Sequence, residues 1–192
     1  MSIATKSGDA GQTALTGGQR LSKAALRVET YGNVDELNAH LGLARSLCDD
    51  ENIRERTCRI QNELFLVGSS LSTPATEQKA PHSFQPALVD ALTAQVHELE
   101  AIEGMMSDWS LPGEHTAAAA YDVARTVCRR TERSIVALHE SGEIVDANVL
   151  AYMNLLSDLL WLFGRKLEHD AGLDGSLRKV SGKTGPRWSR AW

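Results

Sequence analysis

The sequence predicts an all-α fold, a five-helix bundle built as one domain. Three observations lead there. Five segments repeat apolar residues at the three-and-four spacing of a helix and are separated by Pro-, Gly- or polar-rich connections. No segment sustains the apolar–polar alternation of a strand. The last segment carries Leu150, Met153, Leu155, Leu156, Leu159, Leu160, Trp161, Leu162 and Phe163, which makes it apolar nearly all round. A helix of that kind belongs at the centre, surrounded by the others. The 192 residues suffice for one domain with a substantial core.

In chain order, residues 1–22 are rich in Gly, Ser and Thr with little periodicity and read as an ordered loop or extended arm. The first helix is expected by about Asn33, where Asn33 and Glu36 have capping-box spacing and Asp35 and Glu36 suit the positive N-terminal end. Leu37, Leu41, Ala44 and Cys48 continue its stripe. A second helix spans about Glu51 to Leu71, with Ile53, Cys58, Leu64 and Leu71 as core candidates. Residues 72–85 contain two prolines among small polar residues and read as a mobile loop. Pro86 fits the first turn of a third helix reaching Met105 or Met106. Pro112-Gly113 then breaks the chain before a fourth helix, from about Glu114 to Glu140. Asp146 caps the fifth, from about Ala147 to Asp170. Residues 172–192 form a Gly-containing, flexible basic tail.

Composition narrows the function classes. Hydrophobic residues at 42% and charged residues at 23% are ordinary for a soluble globular protein. The net charge of −5 is uneven, because the five basic residues and one acid between Leu173 and Trp192 leave −9 on the body. An acidic body argues against a nucleic-acid partner. Cys48, Cys58 and Cys128 lack CxxC spacing and sit in helical patterns, so reduced, buried thiols are expected rather than disulfides or a structural zinc site. The N-terminus has no apolar h-region and no apolar run is long enough to span a bilayer, so the expected place is the cytoplasm, with no membrane partner.

Three constellations could carry chemistry. Arg125, Arg129 and Arg133 fall at i, i+4 and i+8 on the fourth helix. Like charges at that spacing repel, so the arginines either face an anion, phosphate foremost because the guanidinium fork matches its oxygens, or form a solvated face paired with neighbouring carboxylates. Asn154, Asp158 and Arg165 make a polar seam on the otherwise apolar fifth helix. They are satisfied internally or face a site together with the arginine helix. The run Thr5-Lys6-Ser7-Gly8-Asp9-Ala10-Gly11-Gln12-Thr13 has the composition of an anion cradle, with Arg20 and Lys23 close by in sequence. It lacks the Gly-Lys-Ser/Thr ending of a Walker A loop. A di-iron site is not expected, because no Glu-x-x-His spacing occurs, and no protein-held metal centre is predicted. Nothing resembles a nucleophile elbow.

In order, the chain presents that Thr5–Thr13 loop, Gly18-x-Arg20-x-x-Lys23 and Tyr31-Gly32-Asn33-Val34-Asp35-Glu36-Leu37-Asn38. Leu111-Pro112-Gly113, Ala124-Arg125-Thr126, Arg129-Arg130-Thr131-Glu132-Arg133 and Asn154-x-x-Ser157-Asp158 follow. The series resembles the PduO-type ATP:cob(I)alamin adenosyltransferases over nearly the whole chain. The resemblance implies a ferritin-like five-helix bundle forming a homotrimer, with ATP in clefts between subunits. It implies that Thr5, Lys6, Ser7, Gly8, Asp9, Gly11 and Thr13 wrap the triphosphate with Mg²⁺, that K⁺ is a further candidate cation, and that Lys23 contacts phosphate. Arg129, Arg130, Glu132 and Arg133 match the family's Arg-Arg-x-Glu-Arg signature, and Asn154 matches its nucleotide-contacting asparagine. Asp35 and Arg125 match a pair that bridges subunits beside the active site. Trp109 stands where the family usually has a phenylalanine on the lower face of the cobalt.

Two positions depart from the pattern. Leu155 replaces the arginine of the Asn-Arg-Leu-Ser-Asp motif, and Glu114 replaces the second glycine after Leu-Pro. In such an enzyme cobalt(I) is the nucleophile and attacks the 5′ carbon of ATP, expelling triphosphate. Asp35, Arg125, Arg129 and Trp109 are the catalytic candidates on this reading. Partners implied are a flavoprotein reductase and an adenosylcobalamin-dependent enzyme. A trimeric ATP- or cobalamin-binding carrier or sensor without turnover is the alternative, and a purely structural bundle a third.

Overall fold

A computed structural model describes residue 4 and residues 6–73, 84–105 and 110–173. Thr5, Trp109, most of the expected 72–85 loop and the expected tail beyond Leu173 lie outside the described residues. Five helices dominate: α1 (Leu26–Leu47), α2 (Glu51–Ser72), α3 (Pro86–Glu100), α4 (Thr116–Glu140) and α5 (Ala147–Asp170). A short antiparallel hairpin precedes them, β1 (Gln12–Ala14) paired with β2 (Arg20–Ser22), with Thr13 opposite Leu21. Strands of three residues are too short to show alternation, so the hairpin was invisible to periodicity. Gly17 and Gly18 take φ of 92° and 87° in its turn, which requires glycine there.

The helix ends follow local chemistry except in α1. Asp50 caps α2 by accepting from the Ile53 amide at 2.8 Å, and Asp146 caps α5 by accepting from the Asn148 amide at 2.8 Å. His115 Nδ1 accepts from the Ala118 amide at 3.3 Å, starting α4. The third helix stops at Glu100, short of the expected Met105 or Met106, where the backbone passes into three-residue turns, the Ile102 amide donating to the Leu99 carbonyl and the Met105 amide to the Ile102 carbonyl. The first helix begins seven residues before the expected Asn33, at Leu26. Asn33 and Glu36 are not a cap: the Asn33 amide donates to Ser134 Oγ at 2.7 Å, and Glu36 pairs with Arg130. Both side chains are taken by α4.

Neighbouring helices run antiparallel, as the cross-links show. Thr30 and Asn33 meet Ser134 and Thr131 between α1 and α4. Asn38 and Gln61 exchange amide bonds with each other's backbone between α1 and α2. Cys128 Sγ meets the Met153 carbonyl between α4 and α5. Arg56 pairs with Glu98 at 2.7 Å, joining α2 to α3. The core is continuous across all five helices, and α5 contributes Val149, Tyr152, Met153, Leu156, Leu159, Leu160, Leu162 and Phe163 to it, as its pattern predicted. Gly164 lets α4 and α5 approach closely, since a Cβ there would lie 3.4 Å from the Ala118 carbonyl oxygen.

The expectation of three buried thiols is corrected. Cys48 and Cys128 are buried but Cys58 is exposed; the inward face of α2 passes through Thr57, whose hydroxyl bonds Tyr121 Oη at 2.7 Å. Arg27 is a buried cation that periodicity alone would have flagged, seven residues before Val34 on the same face. Its guanidinium donates to the Leu71 carbonyl at 2.5 Å and to Glu143 at 2.6 Å, clamping the end of α2 and the α4–α5 connection. Among the described residues no helix is long and apolar enough to cross a membrane.

Candidate functional site

The glycine-rich loop is folded by its own backbone. The Asp9 amide donates to the Lys6 carbonyl at 3.3 Å and the Gly11 amide to the Gly8 carbonyl at 3.1 Å, two consecutive turns. Lys6 sits at φ 58°, and Gly11 at φ 74°, where an L side chain is disfavoured. The Lys23 amide donates to the Gly11 carbonyl at 2.8 Å, which ties the loop to the end of β2. The Arg20 guanidinium donates to the Ser7 carbonyl at 2.7 Å. The Lys23 ammonium lies over the loop, because a Cβ on Gly8 would be 3.1 Å from Nζ. Two cations thus close on one short loop carrying Ser7, Asp9 and Thr13. Leu15 is buried beneath the hairpin turn and Thr16 bonds Ser72 at the end of α2.

On α4 the arginines divide. Arg125 Nε donates to Asp122 Oδ1 at 3.1 Å, and Arg130 pairs with Glu36 at 2.7 Å. Arg129 and Arg133 make no ion pair within 4 Å among the described residues. They line a recess of about 230 Å³ with Glu132, Val136, Ala137 and Glu140. The alternative of a stripe paired with carboxylates of a neighbouring helix therefore does not describe it: Arg125 pairs within its own helix, and Arg129 and Arg133 flank the recess.

The polar seam of α5 also divides. Asn154 and Asp158 point outward, whereas Arg165 turns in. Burial raises the Asp158 carboxyl above its ordinary value against the opposing pull of the Arg129 guanidinium, and the nearby Glu100 charge raises it further. Asp158 and Arg129 are electrostatic neighbours, which sets the exposed part of the seam beside the arginine recess. Arg165 instead bonds Asp122 Oδ2 at 2.9 Å and Glu168 Oε2 at 2.5 Å. Ser110 Oγ donates to the same Glu168 oxygen at 2.7 Å. Asp122, Glu168 and Ser110 escaped the sequence reading; charged residues recurring beside the apolar stripes of α4 and α5 were the available signal.

Asp35 is exposed on α1 and lines a groove toward α2 with Asn38, Ala39, Gly42, Gln61 and Phe65. Arg125 faces the α5 side of α4 through Asp122, so Asp35 and Arg125 are not brought together within one chain. The hairpin is fastened to the end of α2, and the recess lies on α4.

Comparison with known proteins places these features. The family model described as cobalamin adenosyltransferase matches residues 3–167. The chain is 40% identical over 172 residues to the cobalamin adenosyltransferase of Cupriavidus metallidurans, covering 88% of this chain and 90% of that one. It is 39% identical over 183 residues to the corrinoid adenosyltransferase of Bacillus subtilis, covering 90% of each. Among solved structures, a variant of the PduO-type ATP:corrinoid adenosyltransferase from Lactobacillus reuteri, complexed with cobalamin and ATP, superposes with a TM-score of 0.83. It is 35% identical, covering 92% of this chain and 98% of that one. Another variant, complexed with ATP, superposes equally well at 34% identity, covering 92% and 99%. Sequence match, helical architecture and the ordered motifs agree, and the chain belongs to the cobalamin adenosyltransferase family, in its PduO-type branch.

Proposed function

We propose that this chain transfers the 5′-deoxyadenosyl group of ATP to cob(I)alamin, releasing triphosphate, in a homotrimer whose nucleotide sites lie between subunits. The observation that carries the reading is the state of Arg129 and Arg133: two guanidinium groups at a recess with no ion pair within 4 Å among the described residues. Unpaired arginines beside a recess suit an anion, and triphosphate is both the anion bound and the leaving group formed. Lys23, Lys6, Ser7, Gly8, Asp9, Gly11 and Thr13, with Thr5, supply the second set of contacts. Asn154 stands one turn from Asp158, beside Arg129, at the nucleotide. Arg130 and Glu132 complete the signature, although Arg130 is already held by Glu36.

The loop of the hairpin and the recess on α4 would meet the triphosphate from two neighbouring copies, as the family resemblance implies. An Asp35–Arg125 bridge likewise requires two copies, since Asp35 has no ion pair among the described residues and Arg125 faces the other way. Among the described residues no three His, Cys, Asp or Glu side chains converge as a metal cage. Mg²⁺, which favours phosphate oxygens, water and one or two carboxylates, accordingly enters with the triphosphate, with Asp9 the carboxylate of the loop. Cob(I)alamin supplies the nucleophile. The protein orients the 5′ carbon and neutralises charge growing on the leaving oxygens. Trp109, by its place before Leu111-Pro112-Gly113, is the residue for the lower face of the corrin, where an apolar ring would exclude water from cobalt.

The test is anaerobic incubation with reduced cobalamin, ATP and Mg²⁺, followed by absorbance of the product. Adenosylcobalamin should form with the unmodified protein and fall sharply with Arg129→Ala. ATP binding without product, under conditions where a relative turns over, would instead favour a carrier or sensor.

A further inference from the structure

We infer that Ser110, Glu168, Arg165 and Asp122 form a positioning relay that fixes the segment entering α4 relative to Arg125. The relay runs through shared atoms. Ser110 Oγ and Arg165 Nη1 meet the same oxygen of Glu168, at 2.7 and 2.5 Å. Asp122 then divides its two oxygens, Oδ2 to Arg165 at 2.9 Å and Oδ1 to Arg125 at 3.1 Å. Two guanidinium groups offset two carboxylates, so the buried cluster is neutral. Arg165 also lies 5.7 Å from the Trp161 ring centroid, which restrains the guanidinium plane.

Stability does not account for this arrangement. Arg165 and Glu168 are each only 4% exposed, and buried ion pairs commonly return no more than their desolvation costs. The α4–α5 contact is already set by Gly164 against Ala118, by Tyr121 edge-on to Phe163 at 5.6 Å, and by Cys128 on the Met153 carbonyl. The cluster even leaves Arg165 Nε and Glu168 Oε1 buried without partners. What it adds is direction. Leu111 is 45% exposed and Gly113 stands at φ 132°, so residues 111–113 have little packing of their own. Ser110 holds them to α5, and the other end of the relay orients Arg125.

The inference rests on the proposed function, in which residues 110–113 lie on the corrin side and Arg125 at the subunit boundary. The relay then ties corrin-side geometry to the boundary, acting through neighbours rather than by touching either substrate. Ser110→Ala removes one hydroxyl from the surface end of the cluster. Exchange of the Leu111 and Gly113 amides should accelerate, and KM for cob(I)alamin should rise on the order of 10-fold, the loss of one hydrogen bond to a charged group. The dissociation constant for ATP and the thermal midpoint should stay near those of the unmodified protein. Ser110→Thr should restore both exchange protection and KM. Unchanged exchange and kinetics in Ser110→Ala, equal weakening of both substrates, or no rescue by threonine would overturn the relay. The exchange readout needs no turnover, so an inactive unmodified protein would refute the function while leaving the tether measurable.

Discussion

Glu36 Oε2 and Arg130 Nη2 meet at 2.7 Å between α1 and α4, one residue along the helix from the unpaired Arg129. Both side chains are nearly half exposed, at 42% and 47%, so the pair is screened and worth at most about 1 kcal/mol. The hydrogen bond from Arg130 holds the Glu36 carboxyl below its ordinary value. That stabilisation is present above the unfolded glutamate value of about 4.3 and is lost as pH falls through the lower folded value. Arg130→Met should therefore cost under about 1 kcal/mol in neutral urea titrations, and the difference should vanish near pH 3. A constant penalty across that range would mean packing, not charge, explains the pair.

In the proposed site Lys23 and Arg129 come from different copies, which makes complementation informative. Lys23→Ala and Arg129→Ala should each be nearly inactive alone. Remixed from dissociated subunits at equal amounts, about one site in four should combine an intact loop with an intact recess, given a cyclic assembly. Activity should recover toward that fraction. Mixed oligomers that form yet stay inactive would place loop and recess in the same subunit.

Gly164 should resist enlargement by shape rather than by backbone. Valine there would press its branches on the Ala118 backbone and should cost about 1–3 kcal/mol in denaturant unfolding. Alanine should be close to neutral, because its helix preference of about 1 kcal/mol over glycine offsets a contact at the edge of van der Waals range. A valine variant as stable as the parent would show that α4 and α5 can separate freely.

Glu63 accepts from Tyr152 Oη at 2.5 Å, and burial raises its carboxyl above the ordinary value despite that bond. A raised acid favours the folded state below its unfolded value and loses that advantage as pH rises through the folded one. Glu63→Gln keeps an acceptor for Tyr152 without the charge. Its melting temperature should exceed the parent's at neutral pH, and the gain should shrink toward pH 4. A gain that grew in acid would reverse the assignment.

The helices and the central place of α5 were legible because they rest on periodicity, which a chain states residue by residue. The start of α1 was not. Asn33 and Glu36 have cap spacing, yet Ser134 and Arg130, about a hundred positions later, compete for them and win. The arginine stripe was legible as a cost seeking an anion, but its division only in part: Asp122 takes Arg125 from one turn earlier on the same helix, a spacing the sequence shows, whereas Glu36 takes Arg130 through tertiary contact. The seam of Asn154, Asp158 and Arg165 split for the same reason: the start of α4 covers only its far end. Spacing records which residues share a face, not how far a neighbouring helix extends over it.

The position of α5 also dictates an order of events. It is the last of the five helices to leave the ribosome, yet it supplies the inner surface against which α3 and α4 pack. Until it emerges, α3 lacks its main packing partner, although α1 can already close on α2 and α4. The bundle should therefore be completed only after α5 has cleared the ribosome, with α3 the last helix to gain protection from protease.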